Sequence, residues 1–302
     1  MGEAVWLAGP SGRTSEGTWD MWYEVEQGIA ARRRCEELGE KLWTSYKELD
    51  QLMDWACSDI EHSAKYARPV LDAKPKALRA VKTHIEWSRE SLQDNFTSAK
   101  RGLMWWLNNN LYKYTGTGIG EPGRTQSASD EWGKVATQLH ALLEYAPTTK
   151  TDWEGAAADA YRPLPTTHVG AIDAVATAGD VLQKGYADIA TELARFWISV
   201  EESLAHLLRC FTGAEARMKH GYAGGHTWVG ILDRRYPDDW AGPEAGARDA
   251  AFAVVDVYRG SGARDIMTKA ANAGNAIDAC TEDVRTMLAT GLPESWPGAR
   301  AG

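Results

Sequence analysis

Apolar residues recur at steps of three and four positions along much of this chain, which is the spacing of one face of an α-helix. The clearest series covers residues 172–211 and would form a helix roughly 60 Å long. Its positions are Ile172, Val175, Leu182, Tyr186, Ile189, Leu193, Phe196, Val200, Leu204, Leu207 and Phe211, with Gly179 filling one slot. A helix with so long an apolar face needs a partner helix along its whole length.

The same spacing predicts four other helical regions, and no segment has the pattern of a convincing strand. The expected regions are 19–65, 76–114, 129–146 and 247–290, the last with an interruption at 260–262. Ser129 has the residue type and position of an N-cap. We therefore expect an all-α fold, an elongated antiparallel helical bundle.

Segments rich in glycine and proline divide these helices. Residues 115–128 read as a linker and 221–246 as a long loop, while Pro163 and Pro165 are expected to delay the longest helix. The predicted organisation is a flexible N-terminus 1–18, a long helical hairpin 19–114, the linker 115–128, a second hairpin 129–220, a loop with C-terminal helices 221–290 and a flexible tail 291–302.

Composition narrows the range of partners. The formal net charge of −9 argues against nucleic-acid binding, because a phosphate backbone selects clustered Lys and Arg. The densest cationic cluster, residues 32–34, is followed by Glu36, Glu37 and Glu40, and we expect it to form a solvated helix face. The chain has 14 Trp but only 4 Phe. Since an indole N–H needs a partner, many of these rings are expected at helix seams, loop anchors or contact surfaces.

Neither the cysteines nor the hydropathy indicates a disulfide scaffold or a membrane protein. Cys35, Cys57, Cys210 and Cys280 are far apart and form no C-x-x-C pair, so we expect packed thiols. No run of 18 apolar residues occurs, so no transmembrane helix is expected. Residues 1–18 lack the charged start and the long apolar stretch of a secretory signal.

A search for catalytic and metal-binding motifs finds none in the right context. No histidine has Glu three positions before it, so the Glu-x-x-His pairs of a di-iron bundle are missing, as is a His-Glu-x-x-His zinc helix. Residues 118–123 match G-x-G-x-x-G, but they follow a helix rather than the strand that dinucleotide sites require. We expect no metal, no cofactor and no enzymatic activity; a toxin with an unrecognised active site in 216–302 is an alternative.

Trp153-Glu154-Gly155 lies between two predicted helices and precedes an alanine-rich run. Gly155 permits a backbone shape that a side chain would block, and Trp153 can pack across a bend. This arrangement resembles the helical hairpin of the WXG-motif superfamily, substrates of type VII (ESX-type) secretion in actinobacteria and related bacteria. The resemblance implies a secretion motif at Trp153 and Gly155. Trp240-Ala241-Gly242 repeats the pattern and is either a second such turn or a loop anchor.

A second family element, Tyr-x-x-x-Asp/Glu, occurs once, from Tyr46 to Asp50. On a helix this spacing places the ring and the carboxylate on one face. In PE/PPE-like substrates the two motifs come from two partner chains, and in a subset both are fused in one chain, the Tyr motif first, as here. The resemblance therefore implies Tyr46 and Asp50 as further parts of the secretion motif. Tyr46 also fits the apolar face of its own helix, so a core role is the alternative.

The resemblance implies a non-enzymatic helical protein that is exported by a type VII secretion system or associated with one. It would act through protein contacts and self-assembly. Its partners would be the secretion machinery and either further copies or a helical partner chain, because apolar faces left uncovered within the chain need a cover. It would be cytoplasmic before export, then secreted without a cleavable signal peptide or held at the cell surface. A structural or assembly component of a phage virion or another large complex is the alternative.

Overall fold

The computed structural model describes residues 16–67, 74–106, 120–144, 154–156, 159, 163–221 and 237–290. All regular structure within these residues is helical, which confirms the all-α prediction. The helices are α1 (Glu16–Ala67), α2 (Lys74–Trp106), α3 (Pro122–Glu144), α4 (Pro163–Gly221), a 3₁₀ turn (Pro237–Trp240), α5 (Ala241–Arg259) and α6 (Ser261–Thr290).

Helix α4 is the central element, and it packs against α1, α3, α5 and α6. Its 59 residues give it a length of roughly 88 Å. α1 runs parallel to α4, because Glu24 pairs with Arg195 and Glu48, further along α1, pairs with Lys219. The contacts of α3, α5 and α6 with α4 run in the opposite sense, and α2 is antiparallel to α1. The bundle is therefore largely antiparallel, with one long parallel pair.

The first hydrophobic core lies between α1, α2, α5 and the C-terminal part of α4. Its largest fully buried side chains are Leu49, Met53, Ile60, Leu78, Ile85, Leu92, Phe211, Met218, Trp240 and Val254. Four helices contribute to it, so this end of the molecule is a four-helix bundle whose stability comes from burial of these apolar groups.

A second core lies between α1, α6 and the middle of α4. It contains Cys35, Ile189, Leu193, Phe196, Val200, Ala270 and Ala273. α3 covers a further side of α4 through small residues, since Gly179 lies directly against Ala136. The two cores share α1 and α4, so two bundles are stacked along one pair of parallel helices.

The C-terminal helices belong to both bundles. α5 contributes to the first core and α6 to the second, and the predicted interruption lies between them at Gly260. Trp240 is completely buried at the start of α5, so it anchors that helix and does not form an exposed turn. Residues 241–290 have no separate core, because their buried side chains pack against α1, α2 and α4.

α3 begins earlier than the sequence pattern indicates. It starts at Pro122 rather than Ser129, so the last seven residues of the expected linker 115–128 are helical. Proline is tolerated in a first turn because the N–H it lacks would have no helical partner there. The N-cap assignment of Ser129 is wrong: the residue is buried within α3, and its hydroxyl donates to the Gln183 carbonyl at 2.7 Å. That hydroxyl is satisfied across two helices instead of at a helix start.

Three other boundaries differ from expectation. α4 includes Pro163 and Pro165 in its first turn. The N–H groups of a first turn have no acceptor within the helix, so a proline there removes no helical hydrogen bond, and the two prolines do not delay the helix. The expected loop 221–246 ends early, because helical structure resumes at Pro237. Residues 16–18 of the expected flexible N-terminus belong to α1, while 1–15 and the tail 291–302 lie outside the described residues.

We expect Gly28→Ala to destabilise the parallel α1–α4 pair. A Cβ at Gly28 would overlap the backbone and the Cβ of Ala194, so the two helices would have to separate, at a cost of about 1–3 kcal/mol. Gly39→Ala on the same helix is the matched control, since Gly39 is exposed with no atom within 4 Å of an added Cβ. It should stabilise the helix by about 0.5–1 kcal/mol. Thermal and urea unfolding of both variants would test this; equal midpoints would contradict it.

Candidate functional site

α3 and α4 form a helical hairpin, and the connection between them contains the predicted Trp-x-Gly motif. The two helices are held together along their length by polar contacts as well as by small residues. His140 Nε2 lies 2.9 Å from an Asp180 carboxylate oxygen. At the start of α3, the indole N–H of Trp197 donates to the Gly120 carbonyl at 2.8 Å. Polar contacts therefore hold the hairpin together both at the start of α3 and near its end.

Gly155 lies in this connection, eight residues before α4 begins at Pro163. Its φ is +109°, a region that glycine adopts readily and other residues rarely do. Gly155 is exposed, and an added Cβ would have no atom within 4 Å, so backbone strain rather than lack of space opposes a side chain. Its carbonyl accepts a hydrogen bond from the Asp159 N–H at 3.0 Å. Trp153 lies outside the described residues.

Tyr46 lies on α1 inside an aromatic stack that joins three helices. Its ring is parallel to Phe96 of α2 at 4.5 Å between centroids, and the Trp43 ring lies 5.4 Å from Tyr46 and 6.2 Å from Phe96. Phe96 in turn contacts Phe211 of α4 at 6.0 Å. Partial burial, followed by the nearby negative charge of Asp50, raises the pKa of the Tyr46 hydroxyl. The ring therefore packs against the first core, as the core alternative predicts.

Asp50 joins α1 to α2 through three hydrogen bonds. Arg89 donates to it from Nε at 2.7 Å and from Nη2 at 3.3 Å, and Gln93 donates from its side-chain amide at 2.7 Å. Arg89 also donates to Asp54 at 2.6 Å. Partial burial raises the pKa of the Asp50 carboxyl, but the hydrogen bonds and the positive charge of Arg89 together lower it further, so it lies below its ordinary value. Both carboxylate oxygens already have partners.

The two halves of the predicted motif lie far apart in this chain. Ser45, next to Tyr46, hydrogen-bonds to Glu215 of α4. The stretch of α4 from Pro163 to Glu215 rises roughly 78 Å, and the eight residues back to Gly155 can cover at most about 28 Å. The Gly155 turn and the Tyr46–Asp50 pair are thus separated by about 50 Å or more, at opposite ends of the central helix.

The sequence pattern did not predict the residues that contact Tyr46 and Asp50. Arg89, Gln93 and Phe96 lie on one face of α2 at spacings of four and three residues, which is the only local signal for them. Their partners are 39 to 43 positions away in the hydrogen-bonded pairs, so no motif search connects them.

The arginine run 32–34 does more than form a solvated face. Arg32 pairs with Glu121, just before α3, and its guanidinium lies 5.7 Å from the centre of the Trp197 ring. Arg34 pairs with Glu201 of α4. The hydrogen bond from Arg32 and the nearby arginine charges lower the pKa of the Glu121 carboxyl. The run therefore joins α1 to α4 and to the start of α3. Two of its three arginines form ion pairs with glutamates of the same chain.

All four thiols are free, as packed cysteines would be. Burial, with a smaller contribution from Glu201, raises the pKa of Cys35 to about 12. Burial likewise raises the pKa of Cys57 to about 11 and that of Cys280 above its ordinary value. These three thiols stay protonated at neutral pH, the form that is the weaker nucleophile.

No metal site and no membrane-spanning helix is found in the part of the chain that the structure describes. Among those residues, no three His, Cys, Asp or Glu side chains are grouped so as to hold a metal ion. None of the described helices has an apolar stretch sufficient to cross a bilayer. Comparisons with protein-family models, curated proteins and solved structures find no match to this chain.

We expect Asp50→Asn to remove a pH-dependent part of the stability. Because the pKa of Asp50 is lower in the folded chain, the ionised carboxylate stabilises the fold above the unfolded pKa of about 3.9, and this contribution is lost as pH falls through the folded pKa. The variant should therefore have a lower thermal midpoint at neutral pH and a smaller loss between about pH 5 and pH 3 than the wild type.

Melting curves followed by circular dichroism across that range would test this expectation. Asp173→Asn, which changes an exposed carboxylate on α4, is the matched control and should follow the wild type. If Asp50→Asn gave a pH profile parallel to that of the wild type, Asp50 would not be the titrating group.

Proposed function

We propose that this chain is a non-enzymatic helical protein exported by, or associated with, a type VII (ESX-type) secretion system. It acts through protein contacts and self-assembly, and reaches the medium or the cell surface. The observation that carries the proposal is the exposed Gly155 turn, with its positive φ, at the connection of the α3–α4 hairpin. An exposed turn between two packed helices is accessible to a receptor while the hairpin stays folded.

The proposal assigns the export signal to Trp153 and Gly155 and gives Tyr46 and Asp50 a structural role. Asp50 is held by Arg89 and Gln93, and a receptor that used its carboxylate would first have to break those bonds. The separation of about 50 Å or more also argues against one receptor surface contacting both parts of a single chain. Any composite signal would need a second chain.

A structural or assembly component of a phage virion or other large complex is the second candidate. Large exposed rings favour it: Trp22, Tyr23, Trp87 and Phe252 are each more than half exposed. Such rings supply much contact area when a partner covers them. Co-purification of a stoichiometric assembly that forms without any secretion system would favour this candidate over export.

We expect Gly155→Ala to reduce secretion without unfolding the protein. Alanine at φ +109° costs about 1–3 kcal/mol locally, which corresponds to at least about a fivefold loss of the native turn. The released fraction, measured as the ratio of protein in the medium to protein in cells, should fall by a similar factor. Trp153→Ala, which removes the other half of the motif, should do the same.

Two controls make this experiment decisive. Gly170→Ala changes another exposed glycine with open space around it, but within α4, so it should secrete normally. A host lacking the secretion ATPase should release none of the variants, and a cytoplasmic marker reports lysis. Normal secretion of both Gly155→Ala and Trp153→Ala, or release that does not depend on the ATPase, would remove the proposal.

A further inference from the structure

We draw no further inference here: the strongest candidate, the groove between α4 and α6 lined by Asp188, Glu192 and Asp283, is an acidic cluster whose one unpartnered buried oxygen, Glu192 Oε2, is closed to a ligand, and nothing in the part of the chain that the structure describes shows what would bind there.

Discussion

The need to cover the apolar face of a 59-residue helix determines the arrangement of this molecule. α4 is too long for one compact bundle, and its apolar side chains are costly to leave in water. Its neighbours therefore divide it into two lengths: α1 and α5 cover one, with α2 packed against both of them, and α3 and α6 cover the other. Only α1, at 52 residues, spans enough of α4 to join both cores. The glycine at Gly28 allows that pair to approach closely.

The same constraint controls where candidate functional residues lie. A residue near the start of α4 and one near its end cannot share a site within one chain, and this separates Gly155 from Tyr46 and Asp50. Conversely, residues remote in sequence are brought together at each level of the rod. Asp50 and Arg89 lie on opposite arms of one hairpin. Trp87 and Phe252 are 165 positions apart in the sequence, but their rings are in contact. In this fold, therefore, a local sequence motif does not indicate which residues lie next to it in three dimensions.

The long helices could be predicted because their apolar periodicity persists over many turns. The start of α3 could not, because glycine and proline in 115–128 suggest a linker although a first helical turn tolerates Pro122. Ser129 suggested an N-cap, since a serine before an apolar series gives the same pattern whether its hydroxyl bonds locally or across to α4. At the candidate site, glycine at position 155 indicated a special backbone shape, and the positive φ agrees with it. The partners of Asp50 depend on how two helices pack, and no local pattern encodes that.

The parallel pairing of α1 with α4 affects how the chain is made. Glu24 meets Arg195, 171 positions further on, so α1 leaves the ribosome long before the surface it needs. At about 5–20 residues per second, that delay is roughly 10–30 s. Before α4 is made, only α2 and the start of α3 can contact α1, and the flank of α1 that packs on α4 stays uncovered. That flank is then exposed to aggregation unless a chaperone holds it until translation reaches α4.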